Sequence, residues 1–120
     1  MEQEEKWVPK KPYHYVYLML HTETGLFYIG VRSSYAKPEL DLYFGSGALL
    51  WEVYNDQGYF SIKQGQPTGW EKHIVVCFDN RIEADRYENK AIRGEVDNPL
   101  CLNCVGTKKA RLNRISRDLQ

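Results

Sequence analysis

From Tyr13 onward the chain alternates with a period of two: Val16, Leu18 and Leu20 fall on one side, Tyr15, Tyr17 and Met19 on the other. That period predicts a β-strand. Thr22-Glu23-Thr24-Gly25 reads as a turn and Leu26 to Arg32 as a second strand, so the pair predicts a β-hairpin. Directly opposed residues of an antiparallel pair share a face. The loop Thr22 to Gly25 therefore sets Phe27, Ile29 and Val31 against Leu20, Leu18 and Val16, making one wholly apolar face. By the same parity Tyr15, Tyr17, Tyr28, Gly30 and Arg32 gather on the other.

Ser33 to Phe44, with Pro38 and several charges, reads as a loop. Gly45-Ser46-Gly47 opens a helix with Ser46 as cap, Leu49, Leu50, Val53 and Tyr54 form its apolar stripe, and Gly58 closes it. Gln64 to Gly69 is a second loop. His73 to Phe78, with Ile74, Val75 and Val76, predicts a short, fully buried strand. Asn80-Arg81-Ile82-Glu83 has the form of a capping box and begins a helix that runs to about Arg93 or Gly94. Ala84, Tyr87, Ala91 and Ile92 line its apolar side, and Glu88 falls inside that stripe. A carboxylate buried there without a partner costs several kcal/mol, so Glu88 requires a cation, a metal or a hydrogen-bond network. Leu100 to Val105 follows Pro99, and Leu112, Ile115 and Leu119 then recur at helical spacing.

At 120 residues the chain is one domain's worth, and 42% apolar with 13% aromatic residues is enough to build a core. The expected organisation is an N-terminal arm (1–12), a folded domain (13–105) and a basic amphipathic tail (106–120). No apolar run approaches the roughly 20 residues that span a bilayer, and the start lacks the order of a secretory signal, so no membrane association is expected. Three cysteines, an odd number, fit a reducing compartment, and a cytoplasmic location is expected.

Sixteen basic residues balance sixteen acidic ones, which leaves no net field to draw the whole molecule to a polyanion. The imbalance is local: Lys108, Lys109, Arg111, Arg114 and Arg117 face only Asp118 in the tail, a stretch suited to lying along phosphates or to docking as a helix with a solvated face. Trp7, Trp51 and Trp70 read as packing residues. Cys101-x-x-Cys104, with Cys77 and His73 as further donors, is a thin zinc pattern, since one spaced pair is only half of the usual arrangement.

A phenol-rich hairpin face, Arg32 on that face and Glu88 in a helical stripe supply the parts of phosphodiester hydrolysis. A carboxylate holds one divalent cation, a guanidinium stabilises gathering charge, and a phenol orients the attacking water. A tyrosine is a base only where a neighbouring cation favours its phenolate, and Arg32 is the candidate cation.

Those residues carry a resemblance. Tyr15-Val16-Tyr17, with Tyr28-Ile29-Gly30 eleven positions on from Tyr17, resembles the GIY-YIG endonuclease family. Gly30 to Ser34, Asp41 to Gly47, Ala84-x-x-x-Glu88-x-x-x-Ile92, and Asn103 fifteen residues after Glu88 are similar to phage-type, homing-endonuclease-like members. The resemblance implies an α+β fold, a small three-stranded antiparallel sheet flanked by helices. It implies hydrolysis of DNA with one divalent cation, Mg2+ or Mn2+, by a monomer or a homodimer on DNA. It makes Tyr17 and Tyr28 the paired tyrosines, Glu88 the metal ligand, Asn103 a supporting hydrogen-bonding residue and Gly30 a point of close approach. Tyr43 stands for a further histidine or tyrosine near the nucleophile. The family's arginine comes about ten residues after the second tyrosine, where this chain has Lys37-Pro38-Glu39; Arg32 takes that role by strand parity, with Lys37 in reserve. The alternative expectation is a catalytically weak or inactive nucleic-acid-binding module of the same fold.

Overall fold

The computed structural model describes residues 9–103. The basic tail with Lys108, Lys109, Arg111, Arg114 and Arg117, as well as Trp7 and Cys104, lies outside the described residues. Three strands, β1 (Tyr13–His21), β2 (Phe27–Ser34) and β3 (Trp70–Phe78), form one antiparallel sheet in the order β2-β1-β3. Two helices, α1 (Ala48–Asp56) and α2 (Arg81–Gly94), complete the α+β fold.

The hairpin has the predicted register: Val16 pairs with Val31, Leu18 with Ile29 and Leu20 with Phe27, while Tyr15 faces Arg32 and Tyr17 faces Gly30. The turn closes through His21 N–H to the Leu26 carbonyl (2.8 Å) and Gly25 N–H to the His21 carbonyl (2.8 Å), with Gly25 at φ 79°. That left-handed conformation favours glycine.

The helices cover opposite faces. Arg81 Nη1 of α2 donates to Ser33 Oγ (2.9 Å) and Tyr87 packs on Phe78 (ring centroids 5.7 Å apart); Ser33 and Phe78 both lie opposite His14, on the side of Val16 and Leu18. Helix α1 contributes Leu49, Leu50 and Tyr54 to the cluster that buries Tyr15, Tyr17 and Met19. The larger core therefore sits on the tyrosine face. Its aromatic rings bury their bodies and turn their polar tips to carbonyl oxygens: Tyr54 Oη to Phe44 (2.9 Å), Tyr59 Oη to Gly65 (2.6 Å) and Trp51 Nε1 to Gly45 (2.8 Å). Trp51 and Trp70 are packing residues, as expected.

Two expectations are corrected. Strand β3 begins at Trp70, three residues before His73, and it is an edge strand in which Ile74 and Val75 are exposed. Val16 pairs with Val76 and Tyr17 with Ile74, so Val75 is a bulge residue; a β-branched run cannot by itself distinguish an edge from a centre. The cap of α1 is the extended Gly47, with no side-chain capping bond, rather than Ser46. At α2 the expected cap is present: Asn80 Oδ1 accepts from Glu83 N–H (2.9 Å).

Candidate active site

On the tyrosine face, Tyr17 stands at the centre of a group of rings. Its centroid lies 5.9 Å from Tyr15, 6.2 Å from Tyr28 and 6.2 Å from Tyr43, the last edge-on. Its phenol crosses directly over Gly30: a Cβ at that position would lie 2.3 Å from Tyr17 Cζ and Oη. What glycine admits at position 30 is thus the paired tyrosine itself. The loop before α1 is equally close, since a Cβ at Gly47 would stand 2.5 Å from the Tyr28 ring.

The Tyr17 side chain is 1% exposed, yet among the described residues its hydroxyl makes no hydrogen bond. A buried hydroxyl without a partner costs about 1–3 kcal/mol. Such a group calls for an explanation, an ordered water or a role in chemistry among them. Burial, and then the neighbouring Tyr28 and Tyr43, push its ionisation far above the ordinary phenol value. At neutral pH Tyr17 therefore keeps its proton rather than standing as a phenolate.

Arg32 shares the face, and its charge acts on the Tyr15 phenol, whereas Tyr17 is governed by burial and the neighbouring tyrosines. Arg32 Nε donates to Asp41 Oδ2 (3.0 Å) and its guanidinium lies 4.2 Å from the Tyr43 ring centroid. Among the described residues its Nη groups make no hydrogen bond, and the side chain is partly exposed. A guanidinium held by Nε with its Nη pair unengaged is suited to a phosphate. Asp41 also accepts from Tyr15 Oη (2.5 Å). Burial alone would raise its carboxyl, but the hydrogen bonds from Tyr15 and Arg32, with the charges of Arg32 and Lys72, hold it below the ordinary carboxylate range. Lys37 is exposed at the start of a 3-10 turn and reaches none of these groups.

Glu88 and Asn103 meet the sheet elsewhere, at the outer edge of β2. Along that edge Phe27 N–H donates to the Leu100 carbonyl (3.0 Å) and its carbonyl accepts from Leu102 N–H (2.8 Å). Two residues on, Asn103 replaces a peptide group: Oδ1 accepts from Ile29 N–H (2.9 Å) and Nδ2 donates to the Ile29 carbonyl (2.7 Å). Two further on, the Val31 backbone hydrogen-bonds to Glu88. Asn103 is therefore a positioning residue for the Tyr28-Ile29-Gly30 segment. The half-buried Glu88 arrives from the α2 layer and reaches the strand between Gly30 and Arg32. Burial, with the nearby Asp85, raises its carboxyl, while Arg81 and Val31 oppose that rise.

The structure thus brings Tyr17, Tyr28, Tyr43, Gly30 and Arg32 together on one face, and sets Glu88 and Asn103 on the edge of the strand that carries three of them. Sequence reasoning gave no role in the site to Asp41 or Lys72. Lys72 lies opposite Met19 on the same face, and its Nζ donates to Tyr15 Oη (2.7 Å) and to the carbonyls of Asp41 (3.0 Å) and Tyr43 (2.6 Å). Strand parity for β3 would have exposed Lys72, had the strand's start been legible; Asp41 sits in a loop and leaves no periodic signal. A cavity of about 290 Å3 beside Lys72 is lined by Asp41, Leu42 and Phe44 but by none of the predicted residues.

Among the described residues no three His, Cys, Asp or Glu side chains converge as a metal cage. A single carboxylate such as Glu88 fits a hard cation that keeps most of its water and takes its remaining oxygens from a phosphate. Among the described residues the zinc pattern does not come together: exposed Cys77 stands on β3 and buried Cys101 beside β2, at opposite edges of the sheet.

Over 58 residues the chain is 31% identical to an ATP-dependent helicase/nuclease subunit of Acetivibrio thermocellus. That stretch takes in 47% of this chain and 4% of that protein. No protein-family profile and no solved structure matches the chain. Among the described residues no helix is long and apolar enough to cross a membrane.

Proposed function

We propose that this chain is a nuclease domain of GIY-YIG type that hydrolyses DNA phosphodiester bonds on the tyrosine face of its sheet. The observation that carries this reading is the buried hydroxyl of Tyr17, laid across Gly30 and without a partner among the described residues, with the unengaged Nη pair of the partly exposed Arg32 on the same face. The partial likeness to a helicase/nuclease subunit supports the same class of activity.

In this reading Arg32 grips the scissile phosphate through its Nη groups and opposes the charge that gathers on its oxygens. The Tyr17 hydroxyl accepts from and orients the attacking water, and Tyr28 and Tyr43 wall the site. Asn103 holds the backbone of Ile29 so that Tyr28 and Gly30 keep their places. Glu88 would hold a divalent cation, Mg2+ or Mn2+, which when bound polarises a phosphoryl oxygen. The basic tail would contribute contacts to the DNA backbone through Lys108, Lys109, Arg111, Arg114 and Arg117.

The test is conversion of supercoiled plasmid to nicked or linear form by the purified chain with magnesium. Expected is cleavage that stops with chelator, with Glu88→Ala and with Arg32→Ala, each variant folding as judged by circular dichroism. Retention of plasmid on a gel without any cutting would replace this reading with that of a binding module.

A further inference from the structure

Lys72 is the point at which the loop before α1, β1 and Arg32 are tied together. Its ammonium has three N–H bonds, and each has an acceptor: Tyr15 Oη, the Asp41 carbonyl and the Tyr43 carbonyl. Tyr15 passes its own proton toward Asp41 Oδ2, the oxygen that also receives Arg32 Nε, and the Tyr43 ring supports the guanidinium from its face. The circuit is closed.

We infer that Lys72 is a positioning residue for the phosphate site: its ammonium locks the Asp41-to-Tyr43 loop onto β1, and through Asp41 it fixes the orientation of Arg32. This inference rests on Arg32 being the phosphate-gripping group of the proposed function. An ammonium offers three donors to three oxygens, whereas a neutral amine offers two and a lone pair. Loss of one proton leaves one of those oxygens without its donor in a half-buried place, and the loop contact weakens.

The groups that face Lys72 are Tyr15 and Tyr17 from β1, Arg32 from β2, and Asp41 and Tyr43 from the loop; its charge lies 4.9 Å and 5.3 Å from the rings of Tyr15 and Tyr17. Glu39 shares the cavity that gives water access to the amine. Burial lowers Lys72 to about 8, with the Arg32 charge adding to this and Asp41 opposing it. The ammonium is thus present at neutral pH and lost as pH rises through that value.

The test reads Arg32 directly, by the 15N chemical shift of its Nε in the full chain, assigned by its loss in Arg32→Lys. In wild type the signal is expected to move with a midpoint near pH 8 and in Lys72→Met to sit at its alkaline position throughout; Lys72→Arg, which keeps its charge, removes the midpoint while retaining the neutral position. Plasmid nicking at neutral pH should fall about a hundredfold in Lys72→Met, as expected for a phosphate-gripping group displaced by about 1 Å. An Arg32 signal indifferent both to pH in wild type and to Lys72→Met overturns the inference, and the wild-type titration decides even if the variant fails to fold. A responsive Arg32 signal in a chain that cuts no plasmid upholds Lys72 as the residue that orients Arg32 and overturns only the nuclease reading.

Discussion

The two faces of the sheet are built from opposite materials and buried in the opposite order. Val16, Leu18, Leu20, Ile29 and Val31 make an aliphatic surface, of which Leu18, Leu20 and Val31 are only half-buried under α2. The other face carries Tyr15, Tyr17, Arg32 and Lys72, yet Tyr15, Tyr17 and Met19 there are completely or almost completely enclosed by α1 and its flanking loops. Side-chain hydropathy does not determine which face of a two-sided sheet becomes the deeper core. The supply of covering residues does, and here Leu49, Leu50, Phe44, Tyr54, Tyr59 and Trp70 all come to the tyrosine side. Polar tips such as those of Tyr15, Tyr54, Tyr59 and Trp51 are tolerated there because each finds a carbonyl or a carboxylate, whereas the enclosed Tyr17 hydroxyl finds neither among the described residues.

The comparison is open to direct attack. The largest effect is expected from truncating the two faces in parallel: Leu50→Ala should cost about 2–5 kcal/mol, as for a fully enclosed leucine, and Leu18→Ala about half as much. Urea denaturation measures both, and equal losses would remove the asymmetry. Next is the β2 edge. Asn103→Asp keeps the shape and the acceptor for Ile29 N–H but sets a carboxylate oxygen against the Ile29 carbonyl in place of a donor, and it should cost about 2–3 kcal/mol in urea denaturation. Smaller still is the contrast between two buried phenols. Tyr54→Phe should lose about 1 kcal/mol with its bond to Phe44, whereas Tyr17→Phe should leave stability unchanged or raise it by about 1 kcal/mol while abolishing nicking. A Tyr17→Phe protein that is destabilised as much as Tyr54→Phe would mean that Tyr17 has a structural partner after all.

The smallest effect concerns pH. Asp41 is held below the ordinary carboxylate range, so the stability it contributes is present above that range and is lost as pH falls through its folded-state value. The difference in urea midpoint between wild type and Asp41→Asn should shrink as pH falls below the ordinary carboxylate range. Lys72 acts with the same sign for a different reason: burial lowers its value, so between about 8 and the ordinary lysine value the unfolded chain binds the proton more readily and global stability rises with pH, even as the hold on Arg32 loosens.

The hairpin was legible because two local rules agree: the period of two divides the faces, and a four-residue turn leaves one register. The start of α2 was legible from Asn80 for the same reason, a local cap followed by a helical stripe. Ile74-Val75-Val76 misled because burial of a β-branched run depends on what pairs beyond it, and at β3 nothing among the described residues does. In the site, Tyr17, Tyr28 and Arg32 follow from parity. Their partners do not, because Asp41 and Lys72 meet across 31 positions and Asn103 meets Ile29 across 74, and such pairings are fixed by tertiary packing rather than by spacing.

The position of Asn103 also orders the chain's assembly in time. As the polypeptide leaves the ribosome, both strands of the hairpin, α1, β3 and α2 all emerge before the residue that closes the outer side of β2. Until then Ile29 presents a bare N–H and carbonyl, a template on which another nascent chain can pair. The interval between the synthesis of Ile29 and that of Asn103 is the period in which this fold is most open to misassembly, and it ends when a single asparagine amide arrives.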